Sequence, residues 1–331
     1  MAGPERIAIV TTSYPRHAGD AAGHFVESEA RRLVRQGHTV TVLAPGRLAA
    51  REDGVVLRAI ADRDAFGWPG AIARLKERPT RILGASEFVI RAVRALEESG
   101  PYERVIAHFL VPSGWPIATR ALRRAPTAAL EVVGHGSDVR LIARSPGALR
   151  RHIVRELLER GARFRFVSSA LKSELVRATV PELAERSIVE PSPIDVSSAP
   201  SRSLAREQLA LADDHALAVV VARLIPGKNV ASALSAIALV PDLHAVVVGD
   251  GPLRAELVAR FPSARFVGQL SRPDSLVWIA AADVLVSASH EEGAPTVVRE
   301  ARALGVPVAS VSAGDLQSWA ESDTGIWLTT R

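Results

Sequence analysis

Four charged side chains in the second half of the chain are of the types and spacing that handle a phosphorylated, hydroxyl-rich ligand: Arg223, Lys228, Glu292 and Glu300. Arg223 and Lys228 follow an apolar run over 216–222, in a loop broken by Pro226 and Gly227. An arginine forks onto phosphate oxygens and a lysine supplies a mobile point charge, so the pair suits a diphosphate. Glu292 and Glu300 flank an expected helix start built from Gly293, Ala294, Pro295 and Thr296. Gly293 permits close backbone approach, and Pro295 suits a first helical turn because no amide donor is needed there. Such a helix start offers free N–H groups, and carboxylates beside it accept hydrogen bonds from sugar or ribose hydroxyls. Each feature alone has a plainer reading: a solvated basic loop, and an amphipathic helix with a solvated glutamate near its cap.

The first half carries a second group. After the apolar run 7–11, Gly19 and Gly23 allow a loop to fold over a ligand before a helix begins, although the loop is no G-x-G-x-x-G fingerprint. His108 ends another expected strand and places a titratable donor at the mouth of a sheet. His135 and Asp138 stand in Gly-His-Gly-Ser-Asp after a third. A histidine at a strand end is also a common structural residue. No His, Asp or Glu grouping has metal-ligand spacing, and there is no cysteine, so a metal and a disulfide framework are both unexpected.

These residues are positioned by an alternation of short apolar runs with helical patterns, the mark of βαβ units and parallel sheets. Strands are expected at 7–11, 40–43, 55–57, 105–108, 129–133 and 164–167, then at 216–221, 245–248, 265–267, 284–287, 308–311 and 326–328. A helix over 23–36 closes at Gly37. The segment 190–203, with Pro191, Pro193 and Pro200 among serines, reads as the linker. The domains expected are 1–195 and 196–331, to which the resemblance given below assigns the acceptor side and the nucleotide sugar respectively.

A length of 331 residues, 47% apolar and 23% charged, is that of a soluble globular protein with room for two cores. No run reaches the length of a membrane span and the start reads as a first strand, so the expectation is a cytoplasmic protein. The net charge of +5 is unevenly spread, with 20 Arg or Lys against 11 Asp or Glu over 58–165. Solvated faces account for this; the alternative is peripheral contact with anionic lipid at the inner membrane surface. No basic helix or stacking platform points to nucleic acid.

In combination these residues resemble the retaining glycosyltransferases of family four, which have the GT-B fold: α/β, two Rossmann-like parallel-sheet domains facing across a cleft. The resemblance covers nearly the whole chain. It is carried by Glu292-x7-Glu300 with the Ala-Arg-Ala-Leu-Gly-Val-Pro-Val-Ala that follows, by Arg223 with Lys228, by Gly249-Asp250-Gly251-Pro252 and Phe266-Val267-Gly268, and in the first half by Gly37-His38-Thr39-Val40, His108 and His135-Gly136-Ser137-Asp138. It implies transfer of a hexosyl-type sugar from a nucleoside diphosphate sugar to a glycan, lipid-linked sugar or small-molecule acceptor, in glycan, glycolipid or exopolysaccharide synthesis. Configuration would be retained, with no cofactor and no metal. Arg223 and Lys228 would hold the diphosphate, Glu300 the ribose, and Glu292 with the backbone from Gly293 the sugar. His108 would contact the sugar, and Gly19, Gly23, His135 and Asp138 would lie on the acceptor side.

The chain departs from the pattern at Arg299, where an aliphatic residue is usual, and at His290-Glu291. It also stops at Arg331, before further helices that the family commonly has, so a shortened second domain is expected. The alternatives are a GT-B sugar-nucleotide epimerase, a glycan phosphorylase lacking its lysine context, and a catalytically silent sugar- or nucleotide-binding subunit. A nicotinamide dehydrogenase is disfavoured by the missing glycine fingerprint.

Overall fold

A computed structural model describes every residue except 1, 2, 17–19, 21, 47–49, 68, 69, 213, 214, 291, 330 and 331, and the side chains of 50–52, 72, 73 and 76. The expectation for Gly19 therefore lies outside the described residues. The chain divides into two compact units, the first built from Met1–Arg16 and Ala22–Pro193 and the second holding Ile194–Arg331, so the division falls inside the Pro- and Ser-rich segment.

Among the described residues the first unit is a sheet of eight strands: β1 (Arg6–Val10), β2 (Thr39–Pro45), β3 (Ala50–Glu52), β4 (Val55–Ile60), β5 (Arg104–His108), β6 (Ala129–Gly134), β7 (Arg163–Phe166) and β8 (Ser187–Val189). They lie in the order β3-β4-β2-β1-β5-β6-β7-β8, parallel except for β3, which runs antiparallel to β4. The second unit has six strands: β9 (Ala216–Val221), β10 (Leu243–Val248), β11 (Arg265–Gly268), β12 (Val284–Ser287), β13 (Val308–Val311) and β14 (Ile326–Thr329), ordered β11-β10-β9-β12-β13-β14 and all parallel. Runs such as Ile7–Val10 and Val219–Val220 are apolar throughout because strands covered by helices on both faces are buried on both sides. Every expected strand is present. The two unforeseen ones, β3 and β8, are three-residue edge strands, too short to show a pattern.

In both sheets the strand order reverses next to the first strand of the unit, between β1 and β5 and between β9 and β12. Connections leave in opposite directions there, and the carboxyl ends of strands at such a reversal are where open α/β sheets bind ligands. In the first unit those ends carry His108, the last residue of β5, and the loop with Gly23; in the second they carry the loops with Arg223, Lys228 and Glu292. Among the described residues no helix is long and apolar enough to cross a membrane.

Candidate active site

In the second unit, β9 ends and the chain passes Arg223 before a short 3-10 turn, Pro226–Lys228. Asn229 takes a left-handed conformation, φ 45°, and the helix Val230–Ile237 follows. The turn at Gly249-Asp250-Gly251 packs directly on this strand end: a Cβ at Gly249 would lie 1.9 Å from the Ala222 carbonyl oxygen, and one at Gly251 2.5 Å from that of Leu224. The two backbones are joined by Leu224 N–H donating to the Asp250 carbonyl at 2.9 Å. The glycine turn thus serves as the wall that sets the Arg223 loop, as only residues without Cβ fit there.

The loop after β12 meets the same place. Ser289 Oγ and the His290 N–H both donate to the Gly227 carbonyl, at 3.3 and 3.2 Å, and Asn229 bonds His290 at 2.8 Å. Lys228 Nζ donates to Glu292 Oε1. Arg223 is largely enclosed; burial lowers its pKa from the usual guanidinium value, and the Glu292 charge opposes that fall. Arg223, Lys228 and Glu292 are therefore brought together at one switch point from positions 69 residues apart in sequence. Gly293 and Pro295 are buried, Ala294 and Thr296 are partly exposed, and the helix runs over Thr296–Ala303. Pro295 is its N-cap, with extended backbone (ψ 112°), one residue earlier than the first-turn place expected for it.

Glu300 is 8% exposed, one turn inside this helix, and faces Arg272, whose Nη1 lies 2.7 Å from Glu300 Oε1. Burial pushes the Glu300 carboxyl up from its usual range, against the opposing charges of Arg272 and Arg299. Arg272 is held in turn by donating from Nη2 to the Asp195 carbonyl at 2.6 Å. Arg272 was invisible as a site residue, since a single arginine at a helix start carries no signal. Gly314 was likewise missed. With φ 56°, it lies so close to the Glu292 loop that a Cβ would sit 2.3 Å from the Gly293 carbonyl oxygen.

In the first unit, Gly23 has φ 74°, and a Cβ there would fall 2.3 Å from the Ser13 carbonyl oxygen, so this glycine lets the loop after β1 fold back on the start of the helix His24–Arg35. His108 does not have the surface place expected of a sugar contact. It is 0% exposed, with Nδ1 2.9 Å from His135 Nε2 and Nε2 3.5 Å from Glu29 Oε2. His135 is the partly exposed ring of the pair, set between Phe25 and Phe109 with ring centroids 4.6 and 4.8 Å away. His108 is covered because β5 ends beneath the loop after β6, which brings the His135 ring against it. Asp138 is also corrected from an acceptor-side ligand to a staple. Its buried carboxylate accepts from the backbone N–H groups of Leu110 at 2.8 Å, Gly136 at 3.0 Å and His135 at 3.1 Å, joining the loops after β5 and β6.

Glu29 and Arg165 were missed although the sequence marks both. Glu29 stands on the apolar stripe Val26, Ala30, Leu33 of its helix, and Arg165 lies between Phe164 and Phe166 in a buried strand. A charge in such a place needs a partner.

A family model described as Glycosyltransferase Family 4 matches residues 22–198, and one described as glycosyl transferases group 1 matches residues 201–329. The putative teichuronic acid biosynthesis glycosyltransferase TuaC of Bacillus subtilis (strain 168) is 27% identical over 335 residues, spanning 95% of this chain and 82% of TuaC. Sucrose-phosphate synthase from Thermosynechococcus elongatus superposes with a TM-score of 0.75 at 19% identity, over 98% of this chain and 85% of that one. Anabaena HepE in complex with UDP-glucose does so with a TM-score of 0.64 at 19% identity, over 98% and 85%. At these identities the structural likeness establishes the fold, GT-B.

Proposed function

The chain belongs to Glycosyltransferase Family 4, and from that membership we propose that it moves a sugar from a nucleoside diphosphate sugar to an acceptor hydroxyl with retention of anomeric configuration. The observation that carries this reading is the meeting of Arg223, Lys228 and Glu292 at the β9/β12 switch point, with Glu300 behind them in the helix. In the reaction the bond between the anomeric carbon and the diphosphate oxygen breaks, the acceptor oxygen bonds to that carbon, and the acceptor's hydroxyl proton passes to the departing diphosphate. Negative charge builds on the leaving diphosphate while the carbon becomes oxocarbenium-like, and fixed cations stabilise that state most when they are already in place. Arg223 and Lys228 supply them. Glu300 accepts from the ribose hydroxyls, and Glu292 with the backbone of Gly293 and Ala294 orients the sugar. TuaC and HepE, a sugar transferase and a binder of UDP-glucose by their names, support a nucleotide-sugar donor.

The two cations do the work of a divalent metal on the diphosphate, so the reading includes metal independence and no cofactor. It also includes a cytoplasmic location. Contact with an anionic membrane surface is favoured by one observation: Ile82, Leu83 and Ile90 are exposed on the helix Ile82–Ser99, which also carries Arg91 and Arg94.

The test is a panel of nucleoside diphosphate sugars, followed by nucleotide release, thermal shift and the anomeric configuration of the product, with and without EDTA. Turnover of one donor with retention, undiminished by chelator, is expected. An inverted product removes retention, loss with EDTA restored by magnesium or manganese removes metal independence, and donor binding without turnover favours a silent binding subunit.

A further inference from the structure

The first unit contains a buried chain of polar groups that the proposed transfer does not itself call for. Glu131 on β6 accepts from Arg165 Nε at 2.7 Å, and Arg165 on β7 donates from Nη2 to Glu29 Oε1. Glu29 is 1% exposed and Arg165 is 3% exposed. The other Glu29 oxygen, Oε2, and His108 Nε2 are both buried, and neither has a hydrogen-bond partner of good geometry among the described residues; they face each other at 3.5 Å. His108 Nδ1 then meets His135 Nε2 at 2.9 Å, with the two rings stacked at 16°.

Proton positions in such a chain follow from its fixed end. A carboxylate that accepts from a buried guanidinium is acceptor-only. A bare lone pair on His108 Nε2 would oppose it in a dry site, at the cost of two unsatisfied buried acceptors, so Nε2 carries the hydrogen. His108 Nδ1 is then an acceptor, and the 2.9 Å contact requires His135 Nε2 to be the donor. That leaves His135 Nδ1, on the partly exposed ring, without a hydrogen.

We propose that Glu29, pinned by Arg165, is a positioning residue that sets the tautomers of His108 and His135 in series, so that His135 presents a bare Nδ1 that accepts a hydrogen bond from a sugar or acceptor hydroxyl. The ligand part of this rests on the glycosyltransferase reading; the tautomers do not. Phe25 and Phe109 pack on the His135 ring and hold its plane. Phe109 does so with φ 74°, a conformation a bulky residue adopts only when its surroundings impose it. Arg165 makes the device directional, because its guanidinium occupies Oε1 and leaves only Oε2 for the histidine.

The experiment is long-range ¹H–¹⁵N correlation NMR on the full chain labelled with ¹⁵N-histidine, at neutral pH, with assignment by a His135→Gln variant. In the unsubstituted protein both rings are expected as the Nε2–H tautomer. In Glu29→Gln, Arg165 keeps the amide oxygen and the NH2 group faces His108, so both rings are expected to switch to Nδ1–H. A His135 ring carrying hydrogen on Nδ1 in the unsubstituted protein overturns the proposal without any variant, and unswitched rings in folded Glu29→Gln overturn the role of Glu29. With a donor sugar in hand, Glu29→Gln should lower kcat by about tenfold or more while the nucleotide Kd, which belongs to the second unit, stays within about twofold. Switched rings with unchanged kcat would overturn the service of Nδ1 to the ligand. Absence of any sugar transfer would sink the functional reading and leave the tautomers to decide the relay.

Discussion

Lys228 donates a hydrogen bond to the carboxylate of Glu292, tying the loop after β9 to the loop after β12. The cation assigned to the diphosphate and the carboxylate assigned to the sugar are thus partners of each other, so their substitutions should couple in turnover. Lys228→Ala and Arg223→Ala should each lower turnover by the loss of a charge-assisted contact, about 1.5–3 kcal/mol. Lys228→Ala combined with Glu292→Gln should cost less than the sum of the single changes, since residues in contact couple. Initial rates set beside thermal unfolding check this. Undiminished turnover in both cation variants removes the diphosphate assignment.

Glu300 and Glu292 should divide the donor between them. Glu300→Ala is expected to weaken the bare nucleoside diphosphate by roughly 1.5–3 kcal/mol through lost ribose hydrogen bonds. Arg272→Ala should weaken it too, because Arg272 lies 2.7 Å from the Glu300 carboxylate and restrains it. Glu292→Ala should leave bare nucleotide binding nearly intact and lower turnover of the full donor. Calorimetry with nucleotide alone separates the two, and equal losses at Glu292 and Glu300 would mean one undivided site.

Gly314→Ala should act on the Glu292 loop from behind. The added methyl meets the Gly293 carbonyl oxygen at 2.3 Å, a backbone atom that cannot rotate away, and φ 56° disfavours any residue with a Cβ. Strain of this kind costs on the order of 1–3 kcal/mol, and displacing Gly293 should raise KM for the donor. Donor KM and the unfolding midpoint, measured together, are the check; an unchanged KM would show that the loop does not touch the sugar.

Stability should rise with pH through the range just below 6.5. His108 is held well below the usual histidine pKa by burial and then by Arg165, and His135 by burial, then His108, then Arg165. On unfolding both recover values near 6.5, so below that pH the unfolded chain binds more protons, and stability is lost as the pH falls and is fully present above it. Glu29 and Glu131 face the same network, and Asp138 and Glu300, whose pKa values are raised by burial, contribute the opposite sign from 3.8 and 4.5 upward. The comparison is therefore between slopes: His135→Asn should show a shallower loss of Tm between about pH 7 and 5 than the unsubstituted protein. Equal slopes would mean that the His135 imidazole is not depressed.

The sequence by itself determined the two-sheet architecture and the central strands, because a parallel strand covered on both faces is apolar through its centre, as residues 7–10, 105–107, 216–221 and 284–286 are. It also marked the loops to which the donor is assigned, since Arg223, Lys228 and Glu292 are charged residues that follow such strands and Glu300 stands one turn inside the helix after Glu292. What only the tertiary structure decided is which side chain faces which. Arg272 reaches Glu300, Gly314 backs Gly293, and Asp138 staples the loops after β5 and β6, all through distances closed by strand order rather than by spacing in the chain. The same holds for the histidines. His108 ends a strand and His135 directly follows one, yet one is 0% exposed and the other partly exposed, because the loop after β6 covers the end of β5. Burial is a property of neighbours in space, and the partner that makes a buried charge tolerable, as Arg165 does for Glu29 across 136 residues, is chosen by packing.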